Sequence, residues 1–309
     1  MADVAAIGAG TVGSAFAVVF ARAGHTVRLY DAAEGIVETA ALPRILSTLT
    51  LLGDNGLLTE PVATIAARIL PAGSIAEAVA GAVYVQESVA ERIEVKRTVF
   101  TEIAAAAPAE ALLASSTSAL PGSEFLGHVA RPERCLVAHP VNPPSLIPLV
   151  ELCPTRWTSE STLSAAHAFL SAAGMSPVTL KKEIDGFLLN RLQYTLVAEA
   201  LHLVGEGYCS AADIDRVMTE GLALRWASIG PFEVAHLNAV DGFQGFVDRL
   251  GGMMRAMGEG ARTDYDWSDA LIADIHAGLA ERVPVAEIPA RQAWRDARIL
   301  ATRRLQQSD

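Results

Sequence analysis

The stretch DVAAIGAGTVG, residues 3–13, constrains this chain more than any other. A short apolar run of strand character passes directly into Gly8, Gly10 and Gly13, and TVGSAFAVVFARAG then carries a helical pattern. That spacing has a physical basis. The first glycine makes the tight strand-to-helix turn, the second lets a backbone approach a pyrophosphate with no Cβ in the way, and the third lets helix and strand pack closely. Thr11 and Val12 open the helix, where unpaired N–H groups and a partial positive charge favour phosphate. The next strand-like run, HTVRLYD, ends on Asp31. A carboxylate there accepts hydrogen bonds from both adenosine ribose hydroxyls and repels a 2′-phosphate. With Ala32 and Ala33 beside it and no cation, the expected cofactor is NAD.

Further along, VYVQES, ALLASSTS, RCLVAHP, IPLVEL and PVTLK read as strands, with a helical pattern from Glu91 to Ala107. Strands alternating with helices predict a parallel sheet covered on both faces. After Asp185 the pattern is helical only, and Ser210 is a natural N-cap for the run that follows it. The expected fold is therefore α/β: a Rossmann-type doubly wound sheet over 1–184, then an all-helical domain over 185–309 for substrate and dimer contacts. The tail after Arg304 is expected to fray.

The chain's 309 residues suffice for two domains. Its formal charge of −11, with no basic run, argues against nucleic acid as a partner. No apolar run is long enough to span a bilayer, and the start MADVAAIGAG resembles neither a signal nor a transit peptide. A soluble, cytoplasmic protein is expected. Three cysteines with no CxxC pairing predict neither a disulfide framework nor a metal site.

Two other segments carry chemistry. CLVAHPVNPPSLIPLVEL places His139 at the end of one apolar run and Glu151 at the end of another, with prolines between. ASSTSAL clusters hydroxyls at Ser115, Ser116, Thr117 and Ser118 at a predicted strand end, where ligands of doubly wound sheets bind. DGFLLNRLQ puts Asn190 early in a long helix.

These segments, with GFLLNRLQYTLVAEALHLVGEG, DIDRVMTEGLALRWASIGP and RQAWRD, resemble the NAD-dependent 3-hydroxyacyl-CoA dehydrogenases, and within them the lambda-crystallin-like branch of L-gulonate 3-dehydrogenases. The resemblance runs over nearly the whole chain. It implies His139 as catalytic base with Glu151 as its partner, and Ser118 and Asn190 as the groups holding the reacting oxygen. It also implies Glu91 and Lys96 as cofactor contacts near the nicotinamide ribose and pyrophosphate, with Ser116 at the cofactor pocket, where many family members have asparagine. The residue types suit alcohol oxidation. An imidazole titrates near neutrality, and a carboxylate on its other nitrogen fixes the tautomer and stabilises the imidazolium.

In the acyl-CoA enzymes the region after the second strand meets the CoA moiety. Here it holds no lysine, only Arg44 and Arg68 against Asp54 and Glu60. That charge balance favours a small free hydroxy acid over an acyl-CoA thioester, with carnitine a third candidate and an NADH-binding structural protein a fourth reading. Arg225, in LALRWASIGP, is the candidate receiver of the substrate carboxylate. The apolar helices of the second half predict a homodimer.

Overall fold

The structure is a computed structural model and describes residues 2–306. The chain divides into two compact units, Met1–Leu189 and Asn190–Asp309.

The first unit is built on one eight-stranded sheet. Its elements in chain order are β1 (Asp3–Ile7), α1 (Thr11–Arg22), β2 (Thr26–Tyr30), α2 (Leu42–Asp54, entered through a π turn over 37–41), α3 (Val62–Ala66), β3 (Ile69–Pro71), α4 (Ile75–Val79), β4 (Tyr84–Glu87), α5 (Ile93–Ala106), β5 (Leu112–Ser115), β6 (Cys135–Pro140), β7 (Leu149–Pro154), α6 (Glu160–Ala172) and β8 (Ser176–Thr179). The strand order is β3-β2-β1-β4-β5-β6-β7-β8. β1 pairs with β2 on one side and β4 on the other, both parallel. The order reverses between those neighbours, so the carboxyl ends of β1 and β4 flank the crevice where such sheets bind ligands.

Burial explains why these segments became strands. All four residues of β4 and all six of β6 are buried, as expected for strands covered on both faces. On α1, every residue from Gly13 to Ala21 is buried. On the other face, Phe100 and Ile103 of α5 join Ile7, Val85, Leu113 and Phe125 in one core cluster.

One expectation is corrected. β7 runs antiparallel to β6, and β8 follows β7 in parallel. The sheet is therefore mixed, and Glu151 lies near the start of β7, where it pairs in register with His139 near the end of β6. The eight residues joining the two strands are too few for a crossover helix, which needs a dozen or more residues.

The second unit is helical: α7 (Leu189–Gly205, its first residue belonging to the first unit), α8 (Ala211–Val217), α9 (Ala223–Trp226), α10 (Pro231–Leu237), α11 (Gly242–Gly260), α12 (Asp269–Arg282) and α13 (Ile288–Gln306). Ser210 caps α8 through a reciprocal capping box with Asp213. The helix at the C-terminus continues past Arg304 to Gln306, and the rest of the tail lies outside the described residues. Among the described residues, Ala198 and Leu300 are the only buried hydrophobic side chains of this unit, while Leu192, Tyr208, Phe232 and Val240 are widely exposed. Among the described residues no helix is long and apolar enough to cross a membrane.

Candidate active site

The glycine loop sits at the carboxyl end of β1, held by Gly8 N–H donating to the Tyr30 carbonyl at 2.8 Å and Ser88 N–H donating to the Ile7 carbonyl at 2.7 Å. The three glycines answer to different constraints. Gly8 has φ +96°, and a Cβ on it would lie 2.5 Å from the Ser88 carbonyl oxygen. A Cβ on Gly13 would lie 1.8 Å from the Gly8 oxygen, so this position admits only glycine. A Cβ on Gly10 would meet nothing within 4 Å. Protein packing therefore accounts for Gly8 and Gly13, whereas a Cβ on Gly10 would face open space. Gly10 is also the N-cap of α1 and carries no side-chain cap, which leaves the first N–H groups, Thr11 and Val12 among them, without that partner.

Asp31 stands just past the end of β2. Its Oδ2 accepts from Ala9 N–H at 2.7 Å and its Oδ1 from Ala33 N–H at 2.9 Å. Each oxygen keeps a further lone pair for a ribose diol. Open space at Gly10, an uncapped helix start and a carboxylate held at the neighbouring strand end together fit a dinucleotide.

At the ends of β4 and β5 lies a buried polar cluster. The Lys96 ammonium, 1 % exposed, is 2.9 Å from Glu87 Oε1 and 3.2 Å from Glu91 Oε2. Glu87 also accepts from Ser115 Oγ at 2.5 Å and Val89 N–H at 2.7 Å. Burial pushes its carboxyl upward, opposed by Lys96 and these donors. Glu91 accepts from Thr117 Oγ1 at 2.6 Å and from the N–H groups of Ser118 at 2.7 Å and Ala119 at 3.2 Å. Burial opposes its ionisation too, but Thr117, Lys96 and the Ser118 N–H outweigh it and hold the carboxyl below its ordinary range. Glu91 thus pins the loop that presents Ser118, which is exposed. Beside it, Ser116 Oγ accepts from Gln86 Nε2 and shares a hydrogen bond with Ser88 Oγ, both at 2.8 Å. Gln86 Nε2 also reaches the Ala138 carbonyl at 3.4 Å, linking this hydroxyl cluster to the residue before His139.

His139 and Glu151 meet across the antiparallel pair. Nδ1 of His139 lies 2.8 Å from Glu151 Oε2, and both side chains are buried. The other carboxylate oxygen accepts from the N–H groups of Leu188 at 2.8 Å and Leu189 at 3.0 Å. Burial opposes the charge on Glu151, but the His139 bond and the two N–H donors prevail and depress its pKa. The donors are aimed by a tight turn in which Gly186 (φ +71°) and Phe187 (φ +51°) are both left-handed. Positive φ is unusual for an aromatic residue. Phe187 is fully buried against Val137, Cys153 and Leu180, and its ring centroid is 5.2 Å from that of His139. With Nδ1 engaged by Glu151, Nε2 is the other ring nitrogen of His139.

Of the remaining expected residues, Asn190 directly follows Leu189 in the first turn of α7. Arg225 is exposed on α9. Among the described residues no group of three or more His, Cys, Asp or Glu is placed to hold a metal ion.

Sequence reasoning overlooked Glu87, Gln86 and Phe187. The signal for the first two was present: Gln86 and Glu87 are polar residues inside the apolar run of β4, and such residues are buried only when bonded. Lys96, expected as a cofactor contact, has its ammonium buried against Glu87 and Glu91, on the helical face it shares with Phe100 and Ile103.

Residues 3–184 match the 3-hydroxyacyl-CoA dehydrogenase NAD binding domain, and residues 186–286 match the 3-hydroxyacyl-CoA dehydrogenase C-terminal domain. The chain is 40% identical over 297 residues to the lambda-crystallin homolog of Bos taurus, covering 95% of this chain and 92% of that one. It is 35% identical over 298 residues to the L-carnitine dehydrogenase of Pseudomonas putida, covering 96% and 91%. Among solved structures it resembles 5-formyl-3-hydroxy-2-methylpyridine 4-carboxylic acid 5-dehydrogenase, described as an NAD+-dependent dismutase, with a TM-score of 0.85 at 27% identity over 99% of both chains. The chain belongs to the 3-hydroxyacyl-CoA dehydrogenase family and is an NAD-dependent oxidoreductase acting on a CH–OH group.

Proposed function

We propose that this enzyme oxidises the 3-hydroxyl of a small free hydroxy acid of the L-gulonate type, with His139 and Glu151 as its acid–base pair. The observation that carries the reading is the 2.8 Å contact between Glu151 and His139 Nδ1, which leaves Nε2 as the nitrogen open to a substrate proton. NAD, when bound, takes the hydride. The protein's part is the proton. Nε2 removes it from the alcohol while the ionised Glu151 stabilises the imidazolium that results. Ser118, on the loop fixed by Glu91, is the hydroxyl donor to the reacting oxygen, and Asn190 is the amide donor implied by family resemblance.

In this reading residues 1–184 hold the cofactor. Gly8, Gly10 and Gly13, with the N–H groups of Thr11 and Val12, receive the pyrophosphate, and Asp31 receives the adenosine ribose. Glu91 and Ser116 border the nicotinamide end, and Lys96 acts from behind Glu91. Residues 185–309 supply Arg225 for the substrate carboxylate and the surface through which two copies pair. Dimerisation is supported by the exposure of Leu192, Tyr208, Phe232 and Val240 on a unit with so small a core.

A free acid is favoured over a CoA thioester by how the two cations of the α2–α3 segment are engaged. Arg68 is ion-paired with Glu60 at 2.5 Å and also donates to the Ala21 carbonyl. Arg44 donates to the glycine loop. The deciding experiment is steady-state kinetics with L-gulonate, acetoacetyl-CoA and carnitine, read by NADH absorbance. The highest kcat/KM is expected for L-gulonate. A clearly higher value for acetoacetyl-CoA overturns the substrate assignment, and turnover of none of a broad hydroxy-acid panel, with NADH still bound, favours a structural NADH-binding role. Light scattering at micromolar protein tests the dimer, and a clean monomer contradicts it.

A further inference from the structure

Ala9, between the first two glycines, is gripped from both sides by charged groups. Its N–H donates to Asp31 Oδ2 at 2.7 Å. Its carbonyl accepts from Ser14 Oγ at 3.0 Å and from Arg44 Nη1 at 3.3 Å, and the same Nη1 donates to Ser14 Oγ at 3.1 Å. Arg44 reaches the loop from α2, where the neighbouring Ile45, with Leu49 and Leu52, is buried. The side chain is thus anchored by its own helix and spans 35 positions of sequence to reach the loop.

A trans peptide is planar, with its C=O and N–H pointing in opposite directions. Holding the Ala9 carbonyl toward the guanidinium therefore turns the Gly10 N–H the other way. Gly10 is the uncapped N-cap residue whose surroundings are open. The guanidinium is always charged and adds positive potential beside that loop, in a chain whose net charge is −11.

We infer that Arg44 is a cofactor-positioning residue: through the Ala9 carbonyl it sets the Ala9–Gly10 peptide to present the Gly10 N–H to the pyrophosphate of the dinucleotide. The inference rests on the proposed seating of that pyrophosphate at the glycine loop. It separates Arg44 from Arg68, whose guanidinium is paired with Glu60 and plays no part in the loop.

The test uses Arg44→Met, Arg44→Gln and Arg44→Lys in the full-length protein. Binding of NADH is followed by fluorescence, and binding of ADP and adenosine by competition. Arg44→Met is expected to weaken NADH and ADP by about tenfold, the scale of one charge-assisted hydrogen bond, and adenosine by less than about twofold. Arg44→Lys should recover more of the loss than Arg44→Gln, and added salt should narrow that difference. In turnover, KM for NAD should rise by a larger factor than kcat falls. Equal weakening of ADP and adenosine, or unchanged ADP binding in all three variants, overturns the inference. If Arg44→Met does not fold, the ranking of the lysine and glutamine variants for ADP decides it, and a reversed or absent ranking overturns it. Failure of the parent protein to bind ADP would instead refute the seating of the pyrophosphate.

Discussion

His139 and Glu151 are cross-strand partners, joined Nδ1 to Oε2 at 2.8 Å on the single antiparallel pair of an otherwise parallel sheet. The carboxylate is held in its ionised form by that ring and by two backbone N–H groups at its other oxygen. Its folded pKa is depressed. The stability it contributes is therefore complete above the unfolded carboxylate value and is lost as pH falls below about 4.5 toward the folded pKa. Glu151→Gln removes this titration. Denaturant unfolding from pH 7 down to pH 3 should show a steeper acid loss of stability in the parent than in the variant. Parallel curves would contradict the assignment. The variant's kcat should also fall by at least about tenfold, since the imidazolium loses its counter-charge.

Gly10 and Gly13 lie three residues apart and should respond oppositely to the same substitution. Gly13→Ala puts a methyl into the Gly8 carbonyl and should lower Tm or prevent folding. Gly10→Ala meets no protein atom and its φ of −67° suits alanine, so Tm should hold while the Kd for NADH rises by about tenfold or more. Fluorescence titration beside a thermal melt checks both. An unchanged NADH affinity in Gly10→Ala would place the pyrophosphate elsewhere.

Lys96 balances two carboxylates while itself buried. Lys96→Met leaves Glu87 and Glu91 without their cation and should cost about 3–5 kcal/mol in urea unfolding, the usual penalty for orphaning a buried charge. A loss below about 1 kcal/mol would mean that the cluster is solvated rather than sealed.

The three thiols are free, and Cys135 and Cys153 are buried, each pushed up to about 12 chiefly by burial. Cys209 is only partly buried. At pH 8 a thiol-reactive chromogenic disulfide should react readily at Cys209 alone in the native protein and at all three in denaturant. Rapid native reaction at two or more sites would contradict the packing of β6 and β7.

The dinucleotide half of the site was legible because its constraints are local. Three glycines, one apolar run and one carboxylate lie within about thirty residues of sequence. The direction of β7 was less evident, because an apolar run reads alike in parallel and antiparallel strands. The short link from His139 to Glu151 held the missing information. Arg44 and Phe187 were not legible at all. The reach of Arg44 to Ala9 depends on how α2 packs against α1, and the left-handed φ of Phe187, buried beside His139, has no local signal in the sequence.

The most direct measurement is His139→Gln, with NADH affinity and turnover determined on the same preparation. The predicted result is a kcat lower by about 10²–10⁴-fold with a Kd for NADH within about twofold of the parent. Turnover retained at near-parental rate would contradict the account, because proton transfer would then belong to another group.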